Sequence, residues 1–214
     1  MTPFTSHRGI VATLDRANVD TDLIIPKQFL KLIGRTGFGR YLFFDMRYLP
    51  NQRPDPAFEL NAPHLQCASI LVARNNFGCG SSREHAVWAV VQYGFRVVIA
   101  PRQERDGARV PAFADIFRNN AVKNGLLTVE LTEQEVNEIF ALVAKEKKVE
   151  ATVDLTKLAV TLHGAGGDKV YPFAMDAGAR DILLQGLDDI SQTLKHEPEI
   201  AAFERSHDVQ MNKA

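Results

Sequence analysis

"CASILVARNNFGCGSSREHAVWAVVQYGFRVVIAP", residues Cys67 to Pro101, decides how this chain folds. It opens with a short apolar run, Cys67 to Arg74, of the length and character of a strand in the middle of a sheet. A glycine turn follows. Then comes a helix from about Arg83 to Tyr93, which Gly94 closes as a C-cap. "FRVVIAP" is a second buried strand. Strand, turn, helix and strand within about 35 residues make a βαβ unit, so a parallel sheet is expected.

Upstream, "RGIVATL" (Arg8 to Leu14) reads as a first strand. The polar loop "DRANVDTDLIIP" ends at Pro26, and a helix is expected from Lys27 to Ile33. "GRTGFGR" is a glycine-punctuated basic loop, and "NQRPDPAFELNAP", with its three prolines, reads as irregular surface. Downstream, "RQERDGARVP" is too charged for the core, "FADIFRNNAVKNG" is a short helix stopped by Gly125, and "LLTVEL" is a strand. In "TEQEVNEIFALVAKE", Thr132 and Glu135 stand at capping-box spacing, with Val136, Ile139, Phe140 and Val143 on one face. "KVEATVDL", "KLAVTL" and "KVYPFAM" look like antiparallel strands, and Pro172 consigns the last to a sheet edge. The tail, Asp176 to about His207, reads as helical. No repeat or low-complexity linker interrupts the chain. Residues 1–214 are therefore expected to form one α/β domain, with a parallel portion first and an antiparallel portion after it.

At 214 residues, 45% hydrophobic and 24% charged, the chain has the proportions of a globular domain with a real core. A formal charge of -1 gives no electrostatic footprint for nucleic acid. No apolar run approaches the roughly 18 residues of a membrane span. The stretch "MTPFTSHRGI" lacks the apolar core of a signal peptide. Cys67 and Cys79 form neither a CxxC pair nor a metal-finger spacing and suit a reducing compartment. A cytoplasmic protein without its own metal site is expected.

"GCGSSREH" is where chemistry concentrates. Its glycines let the backbone approach a ligand closely. Ser81 and Ser82 sit at or beside the expected N-cap, where free N–H groups and the helix dipole favour negative charge. Arg83 adds a bidentate donor for carboxylate or phosphate. Together they make a pocket for a small anion at the carboxyl end of a parallel strand. The dinucleotide fingerprint fails because Arg83 stands at its third glycine, and no GK[ST] supports a Walker A loop. A Cys79–His85 nucleophile pair stays open, although nothing else supplies an orienting group. The plain alternative is that Ser82 only caps a helix and Arg83 is solvated. "NVDTD" (Asn18 to Asp22) lacks the glycine of a calcium loop and, taken alone, is a turn rich in Asx residues. Arg35 and Arg40 are either carboxylate grips or solvated loop charges.

"NVDTDLIIPKQFL", "RTGFG", "NFGCGSSREHA", "YGFRVVIAP" and "FADIFRNN" occur in this order. The chain thereby resembles the small subunits of 3-isopropylmalate dehydratase, in the aconitase superfamily, from about Arg8 to Phe203. The resemblance implies the swivelling β/β/α domain of the aconitase type. It also implies a hydro-lyase of leucine biosynthesis that dehydrates 2-isopropylmalate and rehydrates the product to 3-isopropylmalate. Homoaconitase and citraconate-type dehydratase subunits share these motifs, and a non-catalytic regulatory subunit of the same fold is the reading from another class. The family carries a [4Fe–4S] cluster, held by thiolates, on a large subunit. Two cysteines without cluster spacing agree with a chain that brings half a site and works in a heterodimer or higher hetero-oligomer.

By the same resemblance Ser81 is the base that removes a proton α to a carboxylate, and Arg83 binds a substrate carboxylate with Ser82 beside it. Asp22 matches the aspartate of the superfamily's "TD" motif, and Arg35 matches a substrate-binding arginine after a one-residue shift. A serine base needs converging donors to stabilise its alkoxide. The family's substrate-selecting loop falls at Arg35 to Tyr48, where Leu42, Phe43 and Phe44 are the candidate wall for an isopropyl group, or else core. One departure stands out. Where the family passes almost directly from "VVIAP" to "FADIF", Arg102 to Ala112 intervene here.

Overall fold

The computed structural model describes residues 1–81, 83–105, 107–187 and 189–211. The chain opens with β1 (Ser6–Leu14), two single-turn helices, α1 (Thr21–Ile24) and α2 (Phe44–Arg47), and four 3-10 turns that lead to β2 (Ile70–Ala73). Then come α3 (Glu84–Tyr93), β3 (Val97–Arg105), β4 (Ala108–Val110), α4 (Asp115–Lys123), β5 (Leu127–Thr132) and α5 (Glu133–Lys145). The meander β6 (Glu150–Asp154), β7 (Ala159–Gly164) and β8 (Gly167–Pro172) precedes α6 (Ala177–Gln185), α7 (Asp189–Leu194) and α8 (Glu197–Met211).

Among the described residues the strands join in one eight-stranded sheet, ordered β4-β3-β2-β1-β6-β7-β8, with β5 on the free side of β3. β1 serves two neighbours. Its first half pairs antiparallel with β6, Ile10 opposite Glu150, and its second half runs parallel to β2, Val11 opposite Ile70. The pairs β2–β3 and β3–β5 are parallel too, whereas β6, β7 and β8 run antiparallel. A mixed sheet with its parallel portion first is what the βαβ spacing predicts. β8 lies at the edge, where the missing N–H of Pro172 costs no ladder bond.

Both faces of the parallel portion are covered. Leu71, Ala73, Val98 and Ala100 point into one core with α3 and α4, while Ile70, Val72, Val97 and Ile99 point into another with α5. Period-two alternation with both parities apolar is how a doubly covered strand reads. Thr132 and Glu135 cap α5 reciprocally, a device worth about 1 kcal/mol.

One expectation changes: the helix expected over Lys27 to Ile33 is a 3-10 turn, Lys27–Lys31, whose side chains are not buried. α3 begins at Glu84 with Arg83 in the N-cap position, so Ser81 stands beside the cap and does not form it. Part of the insertion is strand. β3 continues to Arg105, and Gln103↔Val110 and Glu104↔Arg109 pair it with β4 as a projecting hairpin. Gln103 and Arg109 tie it down through Glu133 and Glu130.

Candidate active site

The chain leaving β2 is gripped from both sides by backbone bonds. The amides of Asn18, Gly78 and Thr21 link the segment after β1 to this loop, bonding the carbonyls of Asn75 (3.0 Å), Val19 (2.7 Å) and Cys79 (2.9 Å). On the other side the amides of Asn76 and Phe77 donate to Pro111 and Ala112, and Ala114 donates to Phe77. Gly78 has φ +76°, and a Cβ there would lie 2.2 Å from Cγ of Phe117. Only glycine lets the loop pass this close to α4.

Past this crossing Ser81 emerges exposed on a cavity of about 280 Å³. Thr21, Gly80, Ser81 and Arg83 contribute one part of its lining, and Ala114, Ile116 and Phe117 at the start of α4 another. The Arg83 side chain, 16% exposed, pairs its guanidinium with Asp22, and Lys27 approaches the other oxygen of Asp22 at 3.2 Å. Partial desolvation pushes the Asp22 pKa up. Hydrogen bonds and charge from Arg83, then Lys27, outweigh it and hold the pKa below the usual carboxylate range. Asp22 is thus an anion at neutral pH, and the arginine it steadies keeps further N–H donors for a second carboxylate. The Arg83 side chain makes no capping bond to α3, and the Ala86 amide turns back to the Arg83 carbonyl at 3.2 Å.

Of the sequence-predicted residues, Ser81, Arg83 and Asp22 converge here; Ser82 lies outside the described residues. Arg35 does not join them. Its guanidinium sits 5.8 Å above the Trp88 ring, and its carbonyl accepts from Gln92 Nε2 at 2.7 Å. Leu42 and Phe43 do not wall a pocket, because both are 0% exposed in the core that α3 covers. Phe43 takes φ +52° to start α2, which turns its ring inward toward Phe58. Phe44 is half-buried against Phe29 and Tyr48, in an aromatic group away from the Ser81 lining.

The Cys79–His85 alternative has no geometric support. Burial, then the Asp20 carboxylate, push the Cys79 thiol up, against a weaker backbone hydrogen bond. The His85 ring packs on Phe38 (5.2 Å) and Trp88 (4.7 Å). Glu84 and Trp88 both bond Asn124, at 2.9 and 3.0 Å, which ties the start of α3 to the end of α4. Sequence reasoning missed Thr21 and Ile116. No letter pattern singles out Ile116, which is 51% exposed and lines the cavity next to the buried Phe117.

Known proteins are similar to this chain over most of its length. The family described as Aconitase C-terminal domain matches residues 1–134, and the family described as the C-terminal domain of the 3-isopropylmalate dehydratase small subunit matches residues 189–211. A 3-isopropylmalate dehydratase small subunit from Desulforapulum autotrophicum is 57% identical over 95% of each chain. One from Rhodopirellula baltica is 54% identical over 96% of this chain and 99% of its own. The crystal structure of a 3-isopropylmalate dehydratase from Methanocaldococcus jannaschii, 22% identical, superposes with a TM-score of 0.62 over 92% of this chain and 98% of its own, a likeness of fold. With that fold, those identities and the serine–arginine cavity together, the chain belongs to the family of 3-isopropylmalate dehydratase small subunits, built on the aconitase C-terminal domain.

Proposed function

We propose that this chain, joined to a large subunit, isomerises 2-isopropylmalate to 3-isopropylmalate by loss and return of water. The observation that carries the reading is Ser81, exposed on a cavity beside an arginine that Asp22 holds in place. In the dehydration, Arg83 binds one carboxylate and so fixes the carbon next to it. Ser81 Oγ takes the proton from that carbon as the C–H bond breaks. The electron pair forms the alkene as the neighbouring hydroxyl leaves as hydroxide; that hydroxide and the proton held on Ser81 Oγ together make the one water lost, which returns Oγ to its starting state. An alkoxide at Oγ requires donors that stabilise it, and Arg83 lines the same cavity as Ser81. The rehydration runs the same steps in reverse with the two carbons exchanged. Ser82, next in the chain, is proposed as a further hydrogen-bond partner of the substrate.

The iron–sulfur cluster of aconitase-type chemistry does not fit this chain. Cys67 and Cys79 are its two thiols, and among the described residues no group of three His, Cys, Asp or Glu could hold a metal ion. The reading gives the cluster to the large subunit. It takes residues 1–214 as one swivel domain with a helical tail, working in the cytoplasm, where its free thiols persist. Among the described residues no helix is long and apolar enough to cross a membrane.

Co-expression with the large subunit, anaerobic purification and assay on isopropylmalate, homocitrate and citraconate tests the reading. Turnover of isopropylmalate by the pair, and none by this chain alone, is expected. A pair that acts on homocitrate and leaves isopropylmalate untouched would replace it with the homoaconitase reading.

A further inference from the structure

We propose that Thr21 is a positioning residue for Ser81, an inference that rests on the isomerase reading above. Thr21 is a polar side chain in a buried place, 3% exposed. Capping does not explain it, since Asp20 already caps α1 by accepting from the Leu23 amide at 2.7 Å. Its two donors go elsewhere. The Thr21 amide donates to the Cys79 carbonyl, and the Thr21 hydroxyl donates to the Ser81 carbonyl, each at 2.9 Å.

These bonds fall on either side of Gly80, which has φ +88°. A glycine has weak torsional preferences of its own, so rotation there would swing the next residue. Ser81 is exposed and cannot be held by packing around its side chain. The hold has to reach it through its backbone, and Thr21 holds the Cys79 carbonyl, just before the pivot, and the carbonyl of Ser81 itself. The same turn delivers Asp22 to Arg83. One short helix therefore aims the base and steadies the carboxylate grip together. A Cβ at Gly80 would meet only ordinary contacts, 3.4 Å from Asp20 Cβ and 3.6 Å from Thr21 Oγ1, so it is the φ of +88° that favours glycine at the pivot.

Valine matches threonine in shape and lacks the hydroxyl, whereas serine keeps the hydroxyl. The test compares Thr21→Val and Thr21→Ser, each assembled with the large subunit and measured at equal concentration of complex. The readouts are kcat, KM and the primary deuterium isotope effect with substrate labelled at the carbon that loses its proton. In Thr21→Val, kcat should fall about 30- to 100-fold with KM changed less than about threefold, the scale of a base misplaced by about an ångström. The isotope effect should rise, because proton removal becomes slower relative to other steps. Thr21→Ser should stay within about threefold of wild type. Wild-type kcat in Thr21→Val, an equal loss in Thr21→Ser, or a loss with an unchanged isotope effect would each overturn the proposal. The wild-type pair separates the two ideas. Should it act on homocitrate or citraconate rather than isopropylmalate, the substrate reading falls and Thr21 is judged on that diacid. A wild-type pair inert on all three overturns both.

Discussion

The two halves that share β1 are built on different terms. In the antiparallel half, burial alternates along β6 and β7, and polar partners come from the next strand. Thr152 and Asp168 meet the two nitrogens of His163 at 2.9 and 3.0 Å, and a tight turn joins Gly164 to Gly167. In the parallel half every residue of β2 is buried, and the chain leaving it finds partners some sixty residues before it and some thirty-five after it. Local satisfaction gives a stable wall. Distant satisfaction makes strand ends converge, and the exposed serine and the arginine stand where they do.

That contrast breaks first at Ser81. Replacing it by alanine removes no packing and should lower kcat of the assembled pair by about 10³-fold, with assembly and melting temperature unchanged. An assembled Ser81→Ala complex with undiminished turnover would assign the chain a regulatory role. Gly78→Ala comes next. The added methyl meets Phe117 at a φ of +76°, and a loss on the order of 3 kcal/mol is expected in urea unfolding, with activity falling alongside. An unchanged urea midpoint would mean that the loop rides clear of α4. In the other half Val160, 0% exposed in β7, should lose roughly 2 kcal/mol on truncation to alanine while kcat and KM hold at their wild-type values. A shift in either kinetic constant would show that the wall is not a passive support.

The same division decides what can be read from the sequence. The βαβ unit, the capping box at Thr132 and the three antiparallel strands depend on neighbours in sequence, so period and cap chemistry reveal them. Leu42 and Phe43 lie in a stretch of single turns without any period, where the letters do not tell a pocket wall from a core. Arg35 shows the same limit. Its resting place on Trp88 is set by Gln92, whose side chain bonds the Arg35 carbonyl and the Phe38 amide, fifty-odd residues away in the chain. Thr21 is illegible because its acceptor is a backbone carbonyl, which has no letter of its own. The insertion reads only as too charged for the core, because its strand character comes from pairing between β3 and β4 and not from an apolar period.

The smallest effect tests whether the antiparallel half satisfies itself as described. Tyr171 on β8, 6% exposed, donates its hydroxyl to Glu138 of α5 at 3.2 Å, and Lys169 approaches the same carboxylate oxygen at 3.2 Å. The Lys169–Glu138 pair is solvent-exposed and adds little to stability. Tyr171 differs because burial, and then the adjacent Glu138 carboxylate, oppose a phenolate and push its pKa up to about 12. An unfolded tyrosine titrates near 10, so between the two values the unfolded chain has released a proton that the folded one keeps. The sign follows: the contribution is intact below about pH 10 and is lost as pH rises through about 12. Tyr171→Phe has no such proton. Urea midpoints measured near pH 8 and near pH 11 should therefore drop further in the wild type than in the variant. Equal drops would mean that the phenol is free to ionise in the folded wall, and that its bond to Glu138 does not hold β8 to α5.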